Sequence, residues 1–446
     1  MAQQIMTNNT QQIPNNTTLS GIKGFFGKYA AAPYIFKWLL ISVIIGTLIG
    51  TASAGFLQSL DWVTNYRESH LWLIAFLPIG GVGIGFLYLY LGKDIEAGNN
   101  LLIDTIHNPK EIIPFRMAPF VYLGTMVTHL LGGSAGREGT ALQMAGAIAD
   151  QFTKPFRLSS AERKILLISA IAGGFGSVFG TPLAGAIFGL EVFLIGRLKY
   201  DAIFPAFATA IIADVVSKLW QTHHTHYQID ILPAVSASTI IYAIRAGIAF
   251  GLCAATFSKV IHYVTATFKS TITYPPLRPL VGGILVALAV WALGTTQYIG
   301  LGIPTIVASF GQHLPPYDFV LKMAFTIITL AAGFKGGEVT PLFFIGAALG
   351  NALSYIIPLP TSLLAGMGFV AVFAGATNTP LACTIMALEL FGSGCGVFAA
   401  IACVVSYLFS GHNSIYQKQV VGEAKVKELS HYTNHTFKEI REGEEN

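Results

Sequence analysis

Thr181-Pro182-Leu183-Ala184 opens a run that closes on Leu190-Glu191, and 198 residues later Thr379-Pro380-Leu381-Ala382 opens a second that closes on Leu388-Glu389. Ile187 and Phe193 in the first stand where Ile385 and Phe391 stand in the second. Upstream, Gly136, Glu138, Thr140, Gly146 and Ala147 match Gly336, Glu338, Thr340, Gly346 and Ala347 at an offset of 200. Two sets of matches at nearly one offset divide the chain into homologous halves, residues 37–220 and 236–420, the second counted with its final helix. The polar residues 221–235 join them. Several apolar runs around the repeats extend only about 10–15 residues between Gly, Pro or Asn, short of the ~20 that a spanning helix needs. Such pieces are half-helices or re-entrant segments, whose broken backbone must line a cavity or lie buried in protein. Repeated halves with interrupted helices are the sequence sign of a transporter whose site lies at mid-membrane between the halves. The expected fold is therefore an all-α polytopic membrane protein, an inverted-topology repeat.

Composition points the same way. Of 446 residues, 53% are hydrophobic and 11% charged, against about 25% charged in a soluble domain. Lipid must solvate most of this surface, and the 47 glycines fit helices that approach closely, as in the Gly46–Gly50 pair of the first span. The net charge of +4, with no basic-aromatic patch, gives no case for nucleic acid. Cys253, Cys383, Cys395 and Cys403 sit in apolar runs without metal spacing and read as packing residues. His223, His224 and His226 have no Cys or acidic cluster beside them, so the joining segment reads as a solvated loop and no metal is expected. Residues 1–36 are polar, without the apolar core of a signal peptide. Lys23, Lys28 and Lys37 ahead of the first span place that terminus in the cytoplasm by the positive-inside rule. The tail, 421–446, mixes Lys, Arg and Glu on a short helix and is also expected to be cytoplasmic.

Three breaks carry chemistry: Gly98-Asn99-Asn100, Gly136-Arg137-Glu138-Gly139-Thr140 and Gly337-Glu338-Val339-Thr340-Pro341. Each precedes or opens a short apolar helix. A helix N-terminus exposes unpaired N–H groups and about half a positive charge, so it binds an anion without a full cation. Full cations would hold the ion too tightly for escape. For any one break, simple helix capping is the competing reading. Glu138 and Glu338 are ionisable groups inside membrane segments and so are functional candidates. Ionised, such a glutamate competes with the anion for the helix ends; protonated, it withdraws and admits it. The alternatives are a salt bridge to Arg137, disfavoured because adjacent side chains rarely face each other, and helix capping by Glu338. The duplicated Glu191 and Glu389 read as structural.

Over residues 37–420 the chain resembles CLC-type anion transporters. That family carries G-S-G-I-P, G-K/R-E-G-P and G-x-F-x-P segments whose helix ends meet at one anion, and a tyrosine on the last helix facing it. Residues 136–140 match the second segment with Thr140 for proline, and 337–341 the third with Val339 for phenylalanine. Tyr416, in Gly411-His412-Asn413-Ser414-Ile415-Tyr416, takes the tyrosine position. Asn99 stands where the chloride-type serine would be, and the G-N-N, G-E-V-T-P and H-N-S-I-Y runs resemble the fluoride-exporting bacterial branch. An Asn amide offers two N–H donors where a serine hydroxyl offers one, which suits a small, strongly hydrated anion. Many exchangers of the family place a second, inner glutamate where this chain has Val192.

The resemblance implies a plasma-membrane fluoride/proton antiporter, homodimeric with one pathway per subunit and without a cofactor. Glu138 is then the proton-coupled gate and Glu338 a candidate proton relay. Gly98, Asn99, Asn100, Gly136, Arg137, Gly139, Val339, Thr340 and Tyr416 form the anion site. A chloride or nitrate exchanger or channel is the first rival, and a carrier of organic acids is a third option after an intramembrane enzyme. An intramembrane enzyme finds no H-E-x-x-H motif and no Ser/His pair in its favour.

Overall fold

The computed structural model describes residues 31–444. Residues 1–30, with Lys23 and Lys28 and most of the polar N-terminal segment, lie outside the described residues. The first half contributes α1 (Ala31–Ser69), α2 (Leu77–Leu91), α3 (Asn99–His107), α4 (Met117–Leu130), α5 (Glu138–Asp150), α6 (Ser160–Phe179), α7 (Pro182–Glu191) and α8 (Ile203–Leu219). The second contributes α9 (Ala237–Thr271), α10 (Leu277–Leu293), α11 (Ile303–Gly311), α12 (Asp318–Ala331), α13 (Val339–Leu353), α14 (Thr361–Thr377), α15 (Pro380–Phe391) and α16 (Gly396–Phe409). Their lengths run in parallel: α1 and α9 have 39 and 35 residues, α3 and α11 nine each, α4 and α12 fourteen each. The first helix starts at Ala31, ahead of the apolar run that marks it in the sequence. Among the described residues, four helical stretches are long and apolar enough to cross a membrane: Ala32–Ser69, Leu71–Leu91, Tyr200–Leu219 and Ala237–Thr271.

The repeated Thr-Pro motif makes its break in a defined way. Gly180 ends α6 in the left-handed region at φ 72°, its N–H on the Gly176 carbonyl, and Pro182 restarts the chain at the first turn of α7. Asn378 does the same at φ 59° before Pro380. Proline has no N–H to extend the preceding helix but fits the first turn of the next. The two restarted helices then cap each other. The Glu191 carboxylate accepts from the N–H groups of Leu381 (3.2 Å) and Ala382 (2.9 Å), and that of Glu389 from those of Leu183 (3.0 Å) and Ala184 (2.7 Å). This reciprocal exchange accounts for the duplicated glutamates and ties the halves together.

The core lies around α6 and α14, both buried almost throughout and apolar on every side, as fully enclosed helices are. Phe343 stacks on Phe369 at 4.1 Å and Phe175 on Phe188 at 4.3 Å. All four cysteines are buried. The tail is docked on the body: β1 (Leu194–Ile195) pairs in parallel with β2 (Val420–Val421), and Phe437 and Ile440 of α17 (Phe437–Glu444) pack on Ile195 and Val421.

Helices α13 and α14 touch backbone to backbone. A Cβ on Gly346 would lie 2.0 Å from the Gly368 carbonyl oxygen, and one on Gly368 would lie 2.0 Å from that of Gly346. No flexible side chain is there to yield. Gly346→Val should therefore cost more than the usual overpacking range of about 1–3 kcal/mol and abolish the monodisperse peak on size exclusion in detergent. Gly55→Ala, where an added Cβ meets nothing within 4 Å, should leave that peak unchanged.

Candidate anion site

The second and third breaks are one structure. Gly136 and Gly337 form an antiparallel bridge, with N–H to O distances of 2.6 and 2.8 Å. Only glycine allows this approach: a Cβ on Gly337 would sit 2.6 Å from the Gly139 nitrogen, and one on Gly136 would sit 2.9 Å from the Gly337 oxygen. The first break joins them through Asn99, whose Nδ2 lies 2.9 Å from the position a Gly139 Cβ would take. The starts of α3, α5 and α13 therefore converge.

Glu138 begins α5 and is fully buried. Its carboxylate sits on the N-terminus of the other half's α13. It accepts from the Thr340 N–H at 3.1 Å and from the Thr340 hydroxyl at 2.6 Å, and also from its neighbour's Arg137 N–H at 3.2 Å. Arg137 Nε stands 3.4 Å from the same carboxylate. Adjacent residues meet here, against the sequence reading, because Arg137 is the cap residue at φ −111°, still outside the helix that would separate the two side chains. The salt bridge thus forms at the head of α13.

Glu338 is the cap residue of α13, yet its side chain makes no capping hydrogen bond. Tyr416 is buried within electrostatic reach of both Glu338 and Glu138, and its hydroxyl has no hydrogen-bond partner among the described residues. Asn99 Oδ1 is likewise buried without a partner. Unpaired buried polar atoms are costly, and here two of them lie beside the Glu138 and Glu338 helix starts. Other candidates are placed around this centre. Gly98, at φ 58°, leaves room for the Gln143 amide, 3.2 Å from where its Cβ would be. Asn100 accepts from the Lys418 N–H at 3.1 Å and so fixes the segment that carries Tyr416. Val339 is fully buried in the first turn of α13. Thr140, in the family's proline position, bonds to Thr125 at 2.7 Å, away from the carboxylate.

Two features escape the sequence. Gln419 donates its amide to the carbonyls of Val192 (2.7 Å) and Thr377 (2.8 Å), so the neighbourhood of Val192 is closed by a neutral side chain. Residues of the joining segment, His224, Thr225 and Tyr227, line a small cavity with Arg137, Glu138 and Thr340. An isolated histidine run carries no signal for that placement.

A duplicated helical membrane fold that brings helix N-termini from both halves to one buried carboxylate defines an anion-transporting membrane protein. The profile of voltage gated chloride channels matches residues 80–411, and the chain belongs to that family. A chloride/fluoride channel protein of Pseudomonas syringae pv. tomato is 54% identical over 399 residues, 88% of each chain. The crystal structure of a CLC-type fluoride/proton antiporter superposes with a TM-score of 0.84 at 35% identity, covering 86% of this chain and 98% of that one. A slow cyanobacterial Cl−/H+ antiporter, at 18% identity and TM-score 0.74 over 84% of this chain and 94% of its own, shares the fold.

Gly136→Ala places a methyl 2.9 Å from both the Gly337 oxygen and Pro341 Cδ, so the glycine bridge must open. Displacing a site by about 1 Å can cost about 100-fold in rate, and anion flux in liposomes should fall by at least about tenfold. Retained flux would show that the bridge does not set the geometry of the site.

Proposed function

We propose that this protein exchanges fluoride for protons across the plasma membrane, exporting the anion as protons enter. The observation that carries this reading is the Glu138 carboxylate seated on the N–H and hydroxyl of Thr340. That seat is an anion position at a helix end, filled by a group that can be switched off. A hydrogen bond to a charged acceptor is worth about 1.5–3 kcal/mol, against about 0.5–1.5 for a neutral one. Protonation therefore loosens Glu138 from α13, and fluoride takes the vacated donors. Deprotonation returns the carboxylate and expels the ion. Each swap moves one species against the other. The amide of Asn99 and the hydroxyl of Tyr416 supply further donors to replace the ion's water. The chloride/fluoride relative and the fluoride/proton antiporter structure support the choice of ion. Hydrogen fluoride enters a cell as a neutral acid and dissociates in the less acidic cytoplasm, so the trapped anion needs an exit driven by protons.

Along α1, Lys37 pairs with Glu162 at the start of α6 while Gln58 bonds to Trp220 beside the joining segment. Lys154 and Arg157, just before α6, therefore lie at the face away from that segment. Arg197 and Lys199 follow β1, on which the tail is docked. The positive-inside rule assigns that face, with the docked tail, to the cytoplasm, and the joining segment to the exterior. Glu338 is the proposed inner proton relay: it begins the same helix that Glu138 caps, and Val192 has no titratable side chain. A homodimer with one pathway per subunit belongs to the proposal. Ile211, Val215 and Leu219 form an exposed apolar stripe on α8, and Val397, Val404 and Leu408 form one on α16.

Glu138→Gln keeps size and removes titration. Fluoride-driven proton uptake into liposomes should vanish in this variant, with fluoride flux either lost or uncoupled. Normal proton uptake would sink the assignment. Glu338→Gln separates relay from structure. A relay predicts proton and fluoride fluxes lowered by at least about tenfold, since a positioned proton-transfer group contributes about 10²–10⁴, in a protein still folded and dimeric. Near-normal fluxes of both ions would make Glu338 structural.

A further inference from the structure

The joining segment is anchored to the protein at a few residues, while Gln221, His223, His226 and Gln228 stay exposed. Thr222 donates to the Ser217 carbonyl at the end of α8 (2.8 Å), and Tyr227 packs among Phe310, Phe369 and Phe391 at 5.4, 5.2 and 6.1 Å. Between these anchors, His224 lies flat against Gly180, where a Cβ would come within 2.6 Å of its ring. A cavity of about 690 Å³ opens at this face, walled by Asp61, Arg67, Glu68, Arg137, His223 and Thr225. A second cavity of about 20 Å³ shares Arg137, Thr225 and Ile303 with the first and is lined also by His224 and Glu138. That volume suits one water, which needs about 10–15 Å³ and two or more polar partners. Both ring nitrogens of His224 are buried without a hydrogen-bond partner; the Val178 carbonyl is near but outside hydrogen-bond geometry.

We propose that His224 is the outer proton-transfer group of the exchange cycle, passing protons between the open cavity and Glu138 through the small cavity. The inference rests on the proton-exchange reading above. One imidazole nitrogen takes a proton delivered as hydronium from the open cavity, whose wall includes the flanking residues His223 and Thr225. The other gives its proton, through one water, to the Glu138 carboxylate. One proton has then moved inward, no charge remains on the ring, and the ring is left in its other tautomer, restored by rotation or by the reverse transfer. The charged and titratable groups facing His224 are Arg137 and Glu138 at the start of α5, Lys218 on α8, and His226 and Tyr227 on its own segment. Burial, with Arg137 adding to it, pushes the His224 imidazole down to about 4. The ring is therefore neutral at ordinary pH and does not stand as a fixed cation that would hold fluoride.

The test is fluoride efflux from liposomes under a fixed potassium-valinomycin voltage, in strongly buffered solution of equal pH on both sides, with and without added imidazole. The wild type, His224→Ala, His224→Gln and Glu138→Gln are compared across pH. Coupled proton movement by the wild type is checked first, without imidazole; its absence would sink the exchange reading itself. Given coupling, His224→Ala should lower efflux by about tenfold, less than the 10²–10⁴ of a fully committed acid–base group because water from the open cavity partly substitutes. Imidazole should restore efflux to His224→Ala and leave Glu138→Gln unchanged. His224→Gln, close in size, should be slow with an altered pH profile. Wild-type rates in both His224 variants would overturn the proposal. So would slow variants that imidazole does not rescue and whose pH profile is unchanged, since that pattern belongs to packing against Gly180.

Discussion

The start of a helix in the middle of a membrane exposes N–H groups that neither lipid nor the helix itself can satisfy. This protein answers that constraint with carboxylates taken from the other half of the chain, and it does so in two ways. At α7 and α15, Glu191 and Glu389 cap each other's helix reciprocally, and nothing is left over. At α13 the cap is Glu138, held by Thr340 and Arg137 beside a water-sized cavity. The first arrangement joins the halves. The second is the same interaction with an exit beside it, and it turns a structural requirement into a site where one negative group can replace another.

The surrounding architecture keeps that exchange in place. The glycine bridge between residues 136 and 337 holds the two half-helices at a separation that no side chain permits. Asn99 reaches in from the third helix start, and Asn100 pins the strand of chain that brings Tyr416. Around Val192, Gln419 occupies the polar positions with a neutral amide, and the neighbouring Glu191 carboxylate is engaged by the N–H groups of Leu381 and Ala382. Glu338, the cap residue of α13, makes no capping hydrogen bond with its side chain. The proposed relay and the proposed anion seat thus belong to one helix start.

Much of this was legible in the sequence where backbone chemistry dictates residue type. Thr181-Pro182 and Thr379-Pro380 read as breaks because proline cannot continue a helix, and the glycines of 136–139 and 336–337 because no other residue fits their conformation or spacing. Glu138 and Glu338 stood out because charge is rare in apolar segments. Partner identity was not legible. In a membrane, lipid-facing and protein-facing sides are both apolar, so periodicity does not report which face of α6 or α14 meets what. The Arg137–Glu138 contact depended on where the helix begins to the residue. The seat of His224 depended on Tyr227 finding an aromatic cluster assembled from α11, α14 and α15, and the docking of the tail on a two-residue strand pairing with Leu194–Ile195, too short for any pattern.

The central claim is that one buried seat is filled alternately by a carboxylate and by fluoride, so that the two movements are locked. The most direct measurement is made on the wild-type protein in liposomes, with a fluoride gradient imposed and proton movement followed at zero pH gradient. The account predicts that fluoride running down its gradient drives protons uphill in the opposite direction, and that an equal chloride gradient does so far less. Fluoride flux with no accompanying proton movement, or equal coupling to chloride, would contradict it.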